Sequence, residues 1–308
     1  MALITVFTPT YNRAHTLPRT YESLKKQECK DFEWLIIDDG SSDGTKELVV
    51  SWLESEKEFK IRYIYKNNGG MHTAYNTAYD NITTELNVCI DSDDCLADGA
   101  IKKISDYWKS VKKGGYAGII GLDADLHGHI IGTAFPNGMV ETTYSEFYGH
   151  VGTGDKKFVF RTDVIKQYPP YPEFEGEHYV GIACKFALID QDYKMAVLNE
   201  VLCNVEYQQD GHSTTMYKEY LVNPKGFAYN RKIMMQYPVS KKRLIIETIH
   251  YVSSSFIAKN KLFISESPRK LLTILCIPAG FLLTQWVKYK VKSESNHEKR
   301  IKYSHKEE

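Results

Sequence analysis

Three short polar clusters hold the side chains in this sequence best suited to chemistry. In Asp91-Ser92-Asp93-Asp94, three carboxylates fall within four residues, directly after the apolar run Asn87-Val88-Cys89-Ile90. Carboxylates packed this closely repel one another and hold their charge at a cost unless a cation is near. Hard oxygen donors suit Mg2+ or Mn2+, and such a metal typically bridges a diphosphate. The same pattern also makes a solvated acidic turn that caps a helix. Asp38-Asp39-Gly40 follows a second apolar run. A carboxylate there can accept hydrogen bonds from a base or ribose, or simply close a turn. Thr8-Pro9-Thr10-Tyr11-Asn12 offers hydroxyls and an aromatic face to a base.

These clusters must be positioned by the elements between them. Residues 3–7, 32–37, 61–65 and 87–90 read as strands. Residues 16–27, 45–54 and 72–81 read as helices, the first with Leu17, Tyr21 and Leu24 on one face. Strands alternating with helices imply a parallel sheet with right-handed crossovers, and its buried strands read as continuous apolar runs. Ligands in such sheets bind beyond the carboxyl ends of the strands, where all three clusters fall. Further on, residues 117–122, 129–135 and 157–161 look like strands, 177–189 like a helix, and 197–207 like one or two strands. Gly152-Thr153-Gly154-Asp155-Lys156 is a turn suited to lining an acceptor cleft.

Composition narrows the classes. The 308 residues are 43% hydrophobic and 25% charged, enough for one large or two small domains and unlike a disordered chain. Lys+Arg and Asp+Glu are both 39, which gives no global basic field for nucleic acid. The balance is uneven along the chain. From residue 241 on there are 14 Lys/Arg and 6 Asp/Glu, so the tail is +8 and the first 240 residues are −8. Residues 271–287 are mostly apolar with Pro278 and Gly280 inside, and lysines and arginines lie on both sides. An apolar segment between basic flanks suits interfacial contact with an anionic leaflet, or packing on the globular body. Six scattered cysteines without a CxxC pair, and no secretory signal at the N-terminus, point to a reduced, cytoplasmic setting.

Together the motifs resemble the nucleotide-sugar half of a family 2 glycosyltransferase with the GT-A fold. The matching stretches are Thr8-Pro9-Thr10-Tyr11-Asn12-Arg13, Asp38-Asp39-Gly40-Ser41-Ser42-Asp43-Gly44-Thr45, Asn68-Gly69-Gly70 and Asp91-Ser92-Asp93-Asp94, over roughly residues 1–100. The resemblance implies a mixed, mostly parallel sheet flanked by helices. It implies an inverting transferase that uses a nucleotide-sugar, often a UDP-sugar, with Mn2+ or Mg2+. By this match Thr8, Tyr11 and Asp39 hold the base, Asp91 lies near ribose and metal, and Asp93 is the main metal ligand. The family often carries a basic residue after Gly70, where this chain has Met71-His72-Thr73; His72 substitutes there, or Lys66 reaches in. An inverting transferase needs a base for the acceptor hydroxyl. The family's acidic residue at a helix start matches Glu177, with Glu175 in reserve. Gln208-Gln209-Asp210-Gly211-His212-Ser213 looks like the family's mobile loop, with His212 as a further metal ligand or a solvated side chain.

The expected organisation is a nucleotide-sugar half at 1–100, an acceptor half at 101–240 and a helical membrane-associating tail at 241–308. The expected protein works at the cytoplasmic face of a membrane and passes a sugar to a glycan, by the tail a lipid-linked one. A non-catalytic scaffold that binds nucleotide-sugar or glycan is the competing expectation. A nucleotidyltransferase is a third, weakened by the lack of a Gly-rich basic loop near residues 8–13.

Overall fold

The computed structural model describes residues 2–206 and 216–304, with side chains described to residue 293. The chain divides into two compact units: Met1–Tyr171 with Lys185–Gln208, and Pro172–Cys184 with Gln209–Glu308.

The first unit is built on a sheet. Its strands are β1 (Ile4–Thr10), β2 (Phe32–Asp38), β3 (Lys60–Tyr65), β4 (Leu86–Cys89), β5 (Cys95–Leu96), β6 (Gly118–Ala124), β7 (Glu141–Thr142), β8 (Lys156–Arg161) and β9 (Met195–Asn204). Among the described residues their order is β3-β2-β1-β4-β8-β6-β9-β5, with β7 against β9. The first four strands are parallel, Ile4 level with Phe32 and Leu86. β8 then runs antiparallel between β4 and β6, and β6 and β9 are parallel. The helices of this part are α1 (Leu17–Lys25), α2 (Thr45–Ser55), α3 (Met71–Asn81), α4 (Ala100–Val111), α5 (Tyr144–Glu146), α6 (Thr162–Ile165) and α7 (Ala183–Ile189). Every residue of β2 is buried, as a central parallel strand requires. Trp34, Trp52 and Tyr21 stack in the core between β2, α1 and α2, the Tyr21 and Trp52 ring centroids 4.4 Å apart.

The second unit is helical: α8 (Met216–Val222), α9 (Pro224–Gln236), α10 (Lys241–Ile257), α11 (Lys270–Leu275) and α12 (Ile277–Ser304). Met235, Tyr251, Val252, Phe263 and Cys276 form one apolar cluster, and Tyr220, Phe227 and Val287 another. Among the described residues no helix is long and apolar enough to cross a membrane.

Two sequence expectations change. Residues 129–135 form no strand; only Ile130 bridges back to Ala124. Their apolar side chains have no inward face, since Ile130 is exposed and only Phe135 is buried. The helix expected over 177–189 starts at Ala183. Before it, the Glu177 amide donates to Phe174 O and the His178 amide to Asn223 Oδ1, which turns the backbone away from a helical path.

Candidate active site

The site rests on the carboxyl ends of the adjacent strands β2, β1 and β4. Asn12, at φ 54°, leaves β1 in the left-handed region that Asn tolerates. Its amide donates to Ser41 Oγ (2.9 Å), and its Oδ1 accepts from the Ser42 amide (2.8 Å). The Ala14 amide donates to Asp43 Oδ2 (3.0 Å). The loops after β1 and β2 are thereby fastened together, and Tyr11 stands beside them half exposed. Thr8 is fully buried; its Oγ1 accepts from the Trp34 indole (2.9 Å), so the hydroxyl proton remains for another partner.

Asp39 is buried under a third loop. Its carboxylate accepts from the Lys66 ammonium (2.5 Å) and from the amides of Gly69 (3.0 Å) and Gly70 (2.7 Å). Gly70 sits at φ 90°, ψ 162°, a conformation essentially confined to glycine, which lets both amides turn toward one carboxylate. Lys66 also donates to Thr73 Oγ1 (2.7 Å). His72 lies in the first turn of α3 and is 1% exposed. Asp38 is fully buried and engaged within the protein. Tyr63 donates to its Oδ2 (2.6 Å) and the Ser41 amide to its Oδ1 (2.8 Å).

The acidic loop after β4 is graded by depth. Asp91 is exposed, Asp93 is half-buried and Asp94 is buried. Burial raises the Asp93 carboxyl, helped by Asp91 and opposed by Arg13 and Arg19. Asp94 is pushed up to about 8 by burial against the pull of Lys157, with Asp91, Asp93 and Asp123 adding to the rise. The Lys157 ammonium, on β8, lies 3.9 Å from Asp94 Oδ2 and 3.8 Å from Asp123 Oδ2. Burial works against this ammonium, but Asp123, Cys203 and Asp94 around it hold it well above the ordinary lysine value. Asp123, 2% exposed, is pushed up to about 6 by burial, again against Lys157.

Helix α1 braces this loop from the side. Arg19 Nη2 donates to Asp93 O (2.6 Å) and Thr20 Oγ1 to Asp94 O (2.8 Å). The Ser23 hydroxyl accepts from the Leu96 amide (3.1 Å), and Gln27 bridges Ala97 O and the Ile101 amide. Sequence reading placed Asp94 in the acidic cluster without a role of its own, and missed Arg19, Thr20, Asp123 and Lys157 as parts of this arrangement. The available signal was a row of polar residues on α1 lying next to its apolar face.

Thr8, Tyr11, Asp39, Asp91 and Asp93 thus collect at one end of three adjacent parallel strands, and His72 on the neighbouring helix is buried. Asp91 and Asp93 are hard donors, and a divalent cation between them would offset the burial and the Asp91 charge that raise the Asp93 carboxyl. This donor set fits a Mg2+- or Mn2+-type ion, which takes one or two carboxylates and completes its shell with phosphate and water. Among the described residues no group of three or more His, Cys, Asp or Glu side chains converges on a metal position. His212 lies outside the described residues, as does the whole loop expected at 208–213.

In the second unit, Glu175 is exposed and Glu177 is half-buried. Both Glu177 oxygens are engaged, accepting from the amides of Lys225 (3.0 Å) and Gly226 (2.9 Å) in the first turn of α9. These are donors that no intrahelical carbonyl can satisfy, and Glu177 caps them from 48 positions away. A groove of about 780 Å3 lined by Glu85, Trp108, Lys112, Arg161 and Lys166, among others, lies at the amino end of β4, away from the acidic loop.

The family model for glycosyl transferase family 2 matches residues 5–167, more than half of the chain. The chain belongs to this family. Among curated relatives, this family 2 glycosyltransferase is 29% identical over 136 residues to glycosyltransferase GlyA of Streptococcus pneumoniae, across 43% of this chain and 19% of that protein. It is 32% identical over 106 residues to the GalNAc(5)-diNAcBac-PP-undecaprenol beta-1,3-glucosyltransferase of Campylobacter jejuni, across 34% of each. The matches therefore span well under two thirds of these relatives' lengths. Among solved structures, S. aureus TarS 1-349 in complex with UDP-GlcNAc superposes with a TM-score of 0.60 at 15% identity, over 96% of this chain and 92% of that one. The mannosyltransferase PcManGT from Pyrobaculum calidifontis, in complex with GDP-Man and Mn2+, gives 0.54 at 15% identity, over 92% and 87%. At this identity the likeness speaks for the fold, which is GT-A.

Proposed function

We propose that the protein transfers a sugar, with inversion, from a nucleotide-sugar to a glycan acceptor. The observation that carries this is the gathering of the Thr8–Asn12, Asp39 and Asp91–Asp93 segments at the carboxyl ends of β1, β2 and β4 in a family 2 chain. TarS was solved with UDP-GlcNAc, which favours a UDP-sugar. The Campylobacter relative is named for an undecaprenol-linked acceptor, which favours a lipid-linked glycan and work at a membrane surface; the cytoplasmic face of that membrane is the setting expected from the sequence.

In this reading Thr8, Tyr11 and Asp39 form the base end, Tyr11 through its ring and Asp39 through lone pairs left over from its clamp. Asp91 faces the ribose, and His72 or Lys66 serves the diphosphate. Asp91 and Asp93 hold the divalent ion, which when bound supplies positive charge to the departing nucleoside diphosphate. Glu177, or Glu175 in its place, takes the proton of the acceptor hydroxyl as that oxygen bonds to the anomeric carbon and the bond from that carbon to the diphosphate oxygen breaks.

Thermal unfolding with a panel of nucleotides in Mn2+, Mg2+ or EDTA tests the donor site. A ligand at 100-fold above its Kd adds about 2.7 kcal/mol to the native state. Metal-dependent stabilisation by one nucleoside diphosphate is expected in the wild type and not in Asp93→Ala, and the variant should also lose transfer. If no nucleotide stabilises the wild type, the transferase reading falls. If one does but no acceptor panel yields transfer, the protein binds donor without catalysis.

A further inference from the structure

Helices α11 and α12 are packed inside out. Four of the residues they bury are small or polar, Thr273, Cys276, Gly280 and Thr284, and the fifth is Val287. Thr273 shares a 2.6 Å hydrogen bond with Ser267, and Thr284 Oγ1 donates to Ser253 Oγ on α10 (3.0 Å). Gly280 allows the close crossing, since a Cβ there would lie 2.4 Å from Val252 Cγ1. The opposite face carries Leu271 at 80% exposure, Leu275 at 77%, Leu282 at 67%, Trp286 at 42% and Tyr289 at 68%. At about 100° per residue Leu271 and Leu275 fall about 40° apart on α11, and Leu282, Trp286 and Tyr289 within about 60° of one another on α12, on each helix facing away from the buried residues. A helix that keeps its threonines inside and its leucines outside does not have water as its natural surroundings.

The edges of this stripe say what covers it. Lys288 and Lys290 fall on its two sides, with Lys292, Arg269 and Lys270 near its ends, all exposed. Trp286 and Tyr289 stand at the junction of the apolar and basic parts, and Lys290 Nζ lies 5.8 Å from the Trp286 ring centroid. Apolar face, aromatic border and basic rim together match the layers of an anionic bilayer surface: acyl chain, carbonyl region and phosphate.

We propose that the Leu271–Leu275–Leu282–Trp286–Tyr289 face lies flat in the headgroup region of an anionic membrane, inserted on one side and not spanning. The inference deepens the membrane-surface part of the proposed function, but its structural support comes from the second unit alone.

Trp286 provides the readout. Trp34, Trp52 and Trp108 are at most 8% exposed, so brominated lipid should quench only Trp286 among the four tryptophans. The full-length protein is mixed with phosphatidylcholine vesicles with or without 30% phosphatidylglycerol, a fraction of about the order found in anionic leaflets. Expected are co-flotation with the anionic vesicles only, and quenching that disappears in Trp286→Phe. Leu275→Glu/Leu282→Glu should weaken flotation at least about tenfold, and Lys288→Glu/Lys290→Glu should do so in proportion to anionic lipid. All four positions are exposed, and circular dichroism and nucleotide-induced stabilisation of the same samples check the fold. Flotation unchanged in both double variants, absence of quenching, or a dimer that buries Trp286 and leaves vesicles unbound would overturn the proposal. A wild-type protein that is stabilised by nucleotide but does not bind vesicles removes this surface and leaves the transferase; one that binds vesicles but is stabilised by no nucleotide removes the transferase and leaves the surface.

Discussion

Lys157 is the cation that faces two buried carboxyls, Asp94 of the acidic loop and Asp123 of β6. It is the buried ammonium between Asp94 and Asp123, 3.9 and 3.8 Å away. Removing one partner of a buried ionic group costs about 3–5 kcal/mol, because the remaining charge has no counter-charge and little water. Lys157→Met should therefore lower stability by about that amount, read as a shift in the urea midpoint at pH 7. Lys157→Met/Asp123→Asn should recover part of the loss. If the single variant unfolds like the wild type, the cluster is not electrostatically coupled. Asp39 shows how a residue singled out from the sequence can carry a structural role that the sequence does not show. Its position after β2 was legible, because acidic pairs at strand ends favour ligand sites in parallel sheets. Its clamp on Lys66, Gly69 and Gly70 was not, because it is made with residues about thirty positions later. Lys157 was invisible for the same reason: it reaches the acidic loop only through the β4–β8 pairing.

At the scale of elements, β1 to β4 and α1 to α3 were read almost to their ends, because β1, β2 and β3 are each followed by a crossover helix and the apolar periods change cleanly; the short β5 was not read. The second half was harder. β8 returns antiparallel beside β4, and β9 lies between β6 and β5; no local period encodes either neighbour. The stretch around Glu177 illustrates the same limit. Its charge suggested a helix start, yet the helix it serves is α9, whose own N-cap, Asn223, makes no capping hydrogen bond. Loss of a cap costs about 0.5–2 kcal/mol, so Glu177→Gln should lower the melting temperature modestly whatever its catalytic part. Transfer assays separate the roles. A base contributes about 10²–10⁴-fold, so one of Glu177→Gln and Glu175→Gln should lose that much activity with donor binding preserved. Wild-type rates in both would move the base out of this segment.

For the molecule as a whole, the two units respond to acid through different groups. In the helical unit, His250 is pushed down to about 4 by burial and by Arg231, with Glu247 opposing and Arg243 adding a smaller push. Glu247 is fully buried and held by Arg231 (2.6 Å) and Arg243 (2.6 Å). Between the ordinary histidine value and about 4, the unfolded chain binds a proton that the folded one refuses. Stability contributed by neutral His250 is therefore present above about pH 6.5 and lost as pH falls toward 4, by about 3 kcal/mol at most. His250→Gln should flatten that slope in denaturant titrations between pH 4 and 7; an unchanged slope would assign the acid sensitivity elsewhere. The even total charge hides a molecule of opposite ends, and the basic tail was legible in the sequence. Which of its faces points outward was not, because that depends on Gly280 and Thr284 packing against α10.

The strand order also sets a timetable. Among the described residues β5 pairs with β9 alone, and β5 begins at the residue after Asp94. On a growing chain, β1 to β4 can associate early, since their pairings are near in sequence. The strand β5 must then wait while about a hundred further residues are made, until Cys203 and Asn204 arrive beside Leu96 and Cys95. A ribosome stalled midway through the first unit would thus display an acidic loop that rests on α1 alone, before Lys157 and the β5–β9 pairing complete its surroundings.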